Sequence, residues 1–182
     1  MDFFDLHCDT LTECMDDGDS LLKNERDIDF ERGSIFGRWN QVFAVFVPDS
    51  MDDSLVEGYF DSACNFYFDE LKKKGDVFPI LSSEDVRGHS RGVMLAMESS
   101  RGVGSLERLE KLYERGLRLI TLTWNHKNRA AGGCDEGGGL TDWGRELVSK
   151  MEKLGIVTDV SHLSDRSFYD LCEFSDAPFI AS

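Results

Sequence analysis

The chain has 182 residues, and 41% of them are hydrophobic. That is enough for one domain with its own core and too apolar for a disordered chain. Its 35 acidic against 20 basic residues give a net charge of −15, which repels phosphate backbones and anionic lipid, so neither nucleic acid nor a membrane surface is expected as a partner. The five cysteines are odd in number, widely spread and form no CxxC, a pattern of reduced thiols and a cytoplasmic location. No apolar stretch reaches the ~18 residues of a membrane span, and the acidic, strand-like start shows no signal peptide.

In chain order, Phe3 to Cys8 reads as a short first strand. Residues 10–40 are polar, with Gly18, Gly33 and Gly37, and read as a long connection holding one helix. QVFAVFV over 41–47, stopped by Pro48, is apolar on both faces and predicts a buried parallel strand. Ser54 to Lys74 predicts a helix whose apolar face is Leu55, Tyr59, Ala63, Phe66 and Leu71. VMLAM over 93–97 predicts a further buried strand ending at Glu98, and Ser105 is placed to cap a helix running to Arg115. LRLITLTW over 117–124 is the next strand. Thr141 caps a helix with a stripe of Trp143, Leu147, Met151 and Leu154, stopped by Gly155. Ile156 to Val160 is a strand leading to Ser161 and His162. Ser164 caps a short helix, and Phe179 to Ala181 begins one more strand.

Strand and helix therefore alternate, with about six strands, which predicts parallel βαβ units. A doubly wound sheet and a (β/α)8 barrel both fit, and no GxGxxG or Walker A motif follows the first strand. The pair Gly102 and Gly104 reads as a turn.

The polar candidates fall just past apolar strands. His7 and Asp9 follow the first, Glu98 the VMLAM strand, His126 the LRLITLTW strand and His162 the IVTDV strand. In a barrel these ends meet on one rim. Residues two apart in a strand point to one side, so His7 and Asp9 can reach one ion while Cys8 points away. Imidazole nitrogen and carboxylate oxygen are zinc ligands. Glu98 has two oxygens to share between two ions, and His162 is the candidate nitrogen for the second. Taken singly, each of these residues is as well explained as a hydrogen-bonded or solvated loop residue. His89 lies in a polar stretch and reads as surface. Asp159 and Ser161 are candidates to orient the His162 ring or to cap its loop. The glycines of AGGCDEGGG (132–133 and 137–139) read as a flexible loop, a substrate lid or a long turn, and Cys134 has no base beside it.

At these residues the sequence resembles the membrane (renal) dipeptidase family, zinc dipeptidases on a (β/α)8 barrel of the metal-dependent hydrolase type. DLHCDT, QVFAVFVP, MLAMESS, GLRLITLTWNHKN, GLTDWGRELVSKMEKLGIVTDVSH and APFIAS carry the resemblance. It implies that His7 and Asp9 bind a first zinc, that Glu98 bridges two, and that His162 binds the second. It implies hydrolysis of dipeptides by a metal-bridged hydroxide. Renal-type enzymes place a substrate-contacting histidine directly after TLT. Here Trp124 holds that place and His126 follows two residues later, so both are candidates for substrate contact.

The family pattern continues past APFIAS with a further zinc ligand, a proton-transfer acid and a substrate-binding arginine. A (β/α)8 barrel takes ~250 residues. The chain is therefore expected to be one truncated barrel domain over 1–182, about the first six β/α units, with impaired activity. A homodimer is expected from relatives of this type. The rival readings are another metal-dependent amidohydrolase, although those more often carry HxH at the first strand, and a non-catalytic homologue or fragment.

Overall fold

The structure, a computed structural model, describes all 182 residues. Its strands are β1 (Asp2–Asp5), β2 (Arg38–Phe46), β3 (Phe78–Pro79), β4 (Arg91–Glu98), β5 (Leu117–Thr121), β6 (Val157–Asp159) and β7 (Phe179–Ile180). Between them lie α1 (Thr10–Asp17), α2 (Phe30–Gly33), α3 (Asp53–Lys73), α4 (Asp85–Gly88), α5 (Leu106–Glu114), α6 (Asp142–Leu154) and α7 (Asp165–Phe174). All pairings are parallel, in the order β1-β2-β4-β5-β6-β7, with β3 beside the start of β4.

Side-chain alternation explains why the strands are apolar on both faces. In β2, Trp39, Phe43 and Val45 join the large core under the helices, while Val42 and Ala44 face the other way. There they meet Ala96 and Leu119, with Met94, Val157 and Ile180 around them, in a small separate cluster. That cluster lines the concave side of the sheet. β1 and β7 stand at opposite ends and have one strand neighbour each. Yet the Ser182 hydroxyl, just past β7, lies 3.5 Å from His7 Nδ1, just past β1. The sheet is thus open but curled, an α/β fold that is partly barrel-like.

The helix caps follow from their residues. Ser105, Thr141 and Ser164 each accept a backbone N–H of the first turn, and Gly155 ends α6 in the left-handed region at φ 81°. The polar connection 10–40 holds two helices rather than one. β1 is shorter than the apolar run predicts, but its ladder persists: Cys8 N–H donates to Val42 O and Ala44 N–H to Cys8 O, at 3.1 and 3.0 Å. β3, which the sequence reading did not include, has only two residues, one of them Pro79, and proline is confined to edges or strand starts.

The α3 face is rotated from the expected one. Ala63 and Leu71 are buried as expected, but Leu55 is 62% exposed and Tyr59 and Phe66 are only partly buried, while Val56, Phe60, Cys64 and Tyr67 complete the buried face. Adjacent aromatic pairs, Tyr59–Phe60 and Phe66–Tyr67, give the pattern two solutions. Packing against the core selects Phe60 and Tyr67, and Phe60 lies against the Gly102 turn, where a Cβ would be 3.6 Å from Phe60 Cβ and 2.9 Å from Met97 Cε. Phe60→Ala is expected to cost ~3–5 kcal/mol in urea denaturation, whereas Leu55→Ala should stay within ~0.5 kcal/mol.

Candidate metal centre

Three strand ends and one turn build the site. Asp9 stands at the N-cap of α1, but its carboxylate makes no capping bond; only its carbonyl accepts from Thr12 and Glu13. The carboxylate turns instead to His7, with Oδ1 3.4 Å from Nε2. Glu98 closes β4 on the concave parity and is 4% exposed. Its Oε2 lies 3.4 Å from His7 Nε2 and its Oε1 3.1 Å from His162 Nε2. One buried carboxylate therefore faces an imidazole on each side. Ligand atoms of His7, Asp9 and Glu98 all lie within 4.8 Å of one another.

The electrostatics ask for a cation. The charge partners of Glu98 and Asp9 are imidazoles alone, with no lysine or arginine in reach. Hydrogen bonds to Asp9 and then to Glu98 push the His7 imidazole up to about 10 against the effect of burial. The two carboxylates of Asp9 and Glu98 and the imidazole of His7 form a donor set that fits a divalent zinc-type ion, with His162 on the far side of Glu98. Cys8 is turned into the core, where burial pushes its thiol up to about 12, so it takes no part.

The neighbourhood of His162 bears on two alternatives that the sequence leaves open. Asp159 is the loop cap: its Oδ1 accepts the Ser161 N–H at 2.9 Å. It does not touch the His162 ring. The Asn125 carboxamide does, with Oδ1 2.9 Å from His162 Nδ1, and this bond leaves Nε2 for the Glu98 side. Asn125 was overlooked because it lies between Trp124 and His126 in a segment read for its histidine. The glycine loop is closely packed at its first half, as a long turn would be. A Cβ at Gly132 would meet Gly137 O at 2.1 Å, and one at Gly133 would meet Asn125 O at 2.4 Å. From this packed loop Cys134 N–H donates to His162 O at 2.9 Å, and Asp135 N–H donates to Asn125 O. His162 itself is held at φ 64°, and Ser99, next to Glu98, at φ 75°. Both are unusual for residues with a side chain and flank the cluster, where strain of this kind is characteristically kept.

The sequence profile of the membrane dipeptidase family, peptidase family M19, matches residues 1–182. The chain belongs to this family. Among curated proteins it is similar to an uncharacterized dipeptidase of Schizosaccharomyces pombe, 38% identical over 84 residues, covering 43% of this chain and 20% of that one. It is also similar to an uncharacterized protein of Acinetobacter calcoaceticus, 28% identical over 109 residues, covering 54% and 35%. Among solved structures, a metallopeptidase described as dipeptidase AC superposes over 100% of this chain and 62% of its own, with a TM-score of 0.88 at 22% identity. A Rhodobacter sphaeroides metallopeptidase bound to a phosphinate mimic of L-Ala-D-Ala covers 100% and 64%, with a TM-score of 0.85 at 19% identity. The chain thus spans well under half of these curated relatives and under two thirds of these solved dipeptidases.

Within this dipeptidase fold the two substrate candidates separate. Trp124 packs edge-on against Phe46, with centroids 5.0 Å apart, and lies 6.4 Å from the His162 ring. His126 turns away to Asp49, whose Oδ2 is 2.7 Å from Nδ1 and also accepts the His126 backbone N–H. It lines a polar cleft of about 800 Å³ with Asp49, Arg101, Asn128 and Trp143. Cys134 is exposed and its thiol is raised, by desolvation first and then by Asp135, which disfavours a thiolate. His89, stacked on Phe78, stands apart from the cluster. The Asp49 bond raises the His126 imidazole above its ordinary range. Its charged form is the paired form, so the attraction is present at low pH and lost as pH rises through the raised value. In an NMR titration, Asp49→Asn should bring the His126 midpoint down toward an ordinary histidine.

Proposed function

We propose that the chain carries the metal centre of a zinc-dependent dipeptidase that hydrolyses the peptide bond of dipeptides. The observation that carries this reading is Glu98: buried, without a lysine or arginine partner, and facing His7 with one oxygen and His162 with the other. On this reading His7 and Asp9 hold one zinc, Glu98 is shared, and His162 holds a second. Bound zinc supplies Lewis acidity, polarising a peptide carbonyl and lowering the pKa of water. The chain's own residues supply position. Asp9 and Glu98 fix the His7 ring, Asn125 fixes His162, and the indole of Trp124 stands beside the His162 ring. His126, fixed by Asp49 in a polar cleft that none of the candidate ligands lines, is a candidate polar contact for a dipeptide terminus on this reading.

The curled parallel sheet, with its candidate ligands at the carboxyl ends of the strands, supports assignment to the (β/α)8 class, whose active sites lie on that rim. No helix is long and apolar enough to cross a membrane, and five cysteines, all free, support a reducing compartment such as the cytoplasm.

The test is zinc binding and hydrolysis of L-Ala-D-Ala by the 182-residue chain. His7→Ala and Glu98→Gln should each weaken zinc binding by more than ~100-fold, beyond the ~10–100-fold typical of losing an outer partner. Chelation should remove any dipeptide turnover, and added zinc should restore it. Zinc binding that survives both substitutions would overturn the reading. Turnover of cyclic amides with none of dipeptides would assign the site to another amidohydrolase.

A further inference from the structure

Asp159 ends β6 with no exposed surface and no lysine, arginine or histidine paired to it. Such a carboxylate persists only if hydrogen bonds replace its water. Four do. Its Oδ2 accepts the Thr121 hydroxyl at 2.9 Å and the Ser182 hydroxyl at 2.7 Å. Its Oδ1 accepts the backbone N–H groups of Ser161 at 2.9 Å and of Ser182 at 3.4 Å.

We infer that Asp159, acting through the Ser182 hydroxyl, is a positioning residue that selects which nitrogen His7 presents to a metal ion. The proton order follows from the donor inventory. An ionised carboxylate only accepts, and Asp159 Oδ2 at 2.7 Å is a nearer and charged acceptor than Ser161 Oγ at 3.3 Å, so the Ser182 O–H is committed to Asp159. The Ser182 oxygen then has only lone pairs for His7 Nδ1, which stands 3.5 Å away at the long edge of a hydrogen bond. His7 must place its proton on Nδ1, which leaves Nε2 free to ligate on the side of Asp9 and Glu98. The run Asp159–Ser182–His7 is a carboxylate–histidine–metal arrangement with one hydroxyl inserted. It spans the open side of the sheet, joining the ends of β6 and β7 to the end of β1. Asn125 does the same for His162 without an intermediary.

The inference rests on the metal reading above, and the experiment separates the two. Zinc alone is the probe, titrated into the full chain against a chromophoric chelator, with ring nitrogen spectra of the zinc-loaded, histidine-labelled protein. Parent and His7→Ala test the metal site. Equal zinc affinity in those two would overturn the site, and the relay with it. Ser182→Ala and Ser182→Thr test the relay. The alanine variant should bind zinc ~10-fold more weakly and lose the protonated-Nδ1 signature of His7. The threonine variant, which keeps the hydroxyl, should match the parent on both. A merely structural serine would leave the His7 signature alone. The relay is overturned if Ser182→Ala retains parental affinity and tautomer, or if Ser182→Thr is as weak as Ser182→Ala. Asp159→Asn should follow Ser182→Ala, and because Ser182 lies at a strand end, the serine variants decide the question even if that buried substitution disturbs folding.

Discussion

Glu98 is the constraint around which the structure is arranged. A carboxylate removed from water needs compensating charge or hydrogen bonds, and here the only charge partners are two imidazoles, each from a different strand end. That arrangement is open only to a sheet whose strands run parallel and whose surface curls. Parallel strands put their carboxyl ends on one side, and the curl brings His7 and His162 to opposite oxygens of a residue on β4. Side-chain alternation does the rest, since Glu98 shares the concave parity of Met94 and Ala96.

Around this carboxylate the protein spends few residues on the ion itself and many on the orientation of its ligands. Asp9 gives up a capping bond to face His7. Asn125 binds the far nitrogen of His162, and the packed glycine loop holds that residue's carbonyl. Strain at Ser99 and His162 marks the two places where the backbone departs from easy geometry to aim a side chain. The geometry accounts for why the candidate ligands converge.

Much of this was legible in the sequence. The apolar runs, their caps at Ser105, Thr141 and Ser164, and the placing of polar residues just past strands all follow from local chemistry. His7, Asp9, Glu98 and His162 could be singled out because strand periodicity and parallel topology fix where such residues go. What stayed hidden depends on contacts distant in sequence. The α3 face is set by packing against core residues distant in sequence. Asn125 carries no local pattern that distinguishes it from any other loop polar group, and Asp159, legible as a neighbour of His162, bonds Ser161 and Ser182 rather than the His162 ring. The glycine loop looked flexible because composition reports what the backbone is free to do, whereas the close approach of Gly132 to Gly137 is a property of the fold.

The bond from Cys134 N–H to the carbonyl of His162 has a thermodynamic side. Opening the loop over residues 132–139 would release the backbone of His162, the residue proposed to hold a second ion, and so would weaken any ion held there. By linkage, whatever binds at Glu98 and His162 must make that opening rarer in the same proportion. The loop and the ion therefore share one free energy. A segment that never touches the metal contributes to its affinity through the populations it forbids.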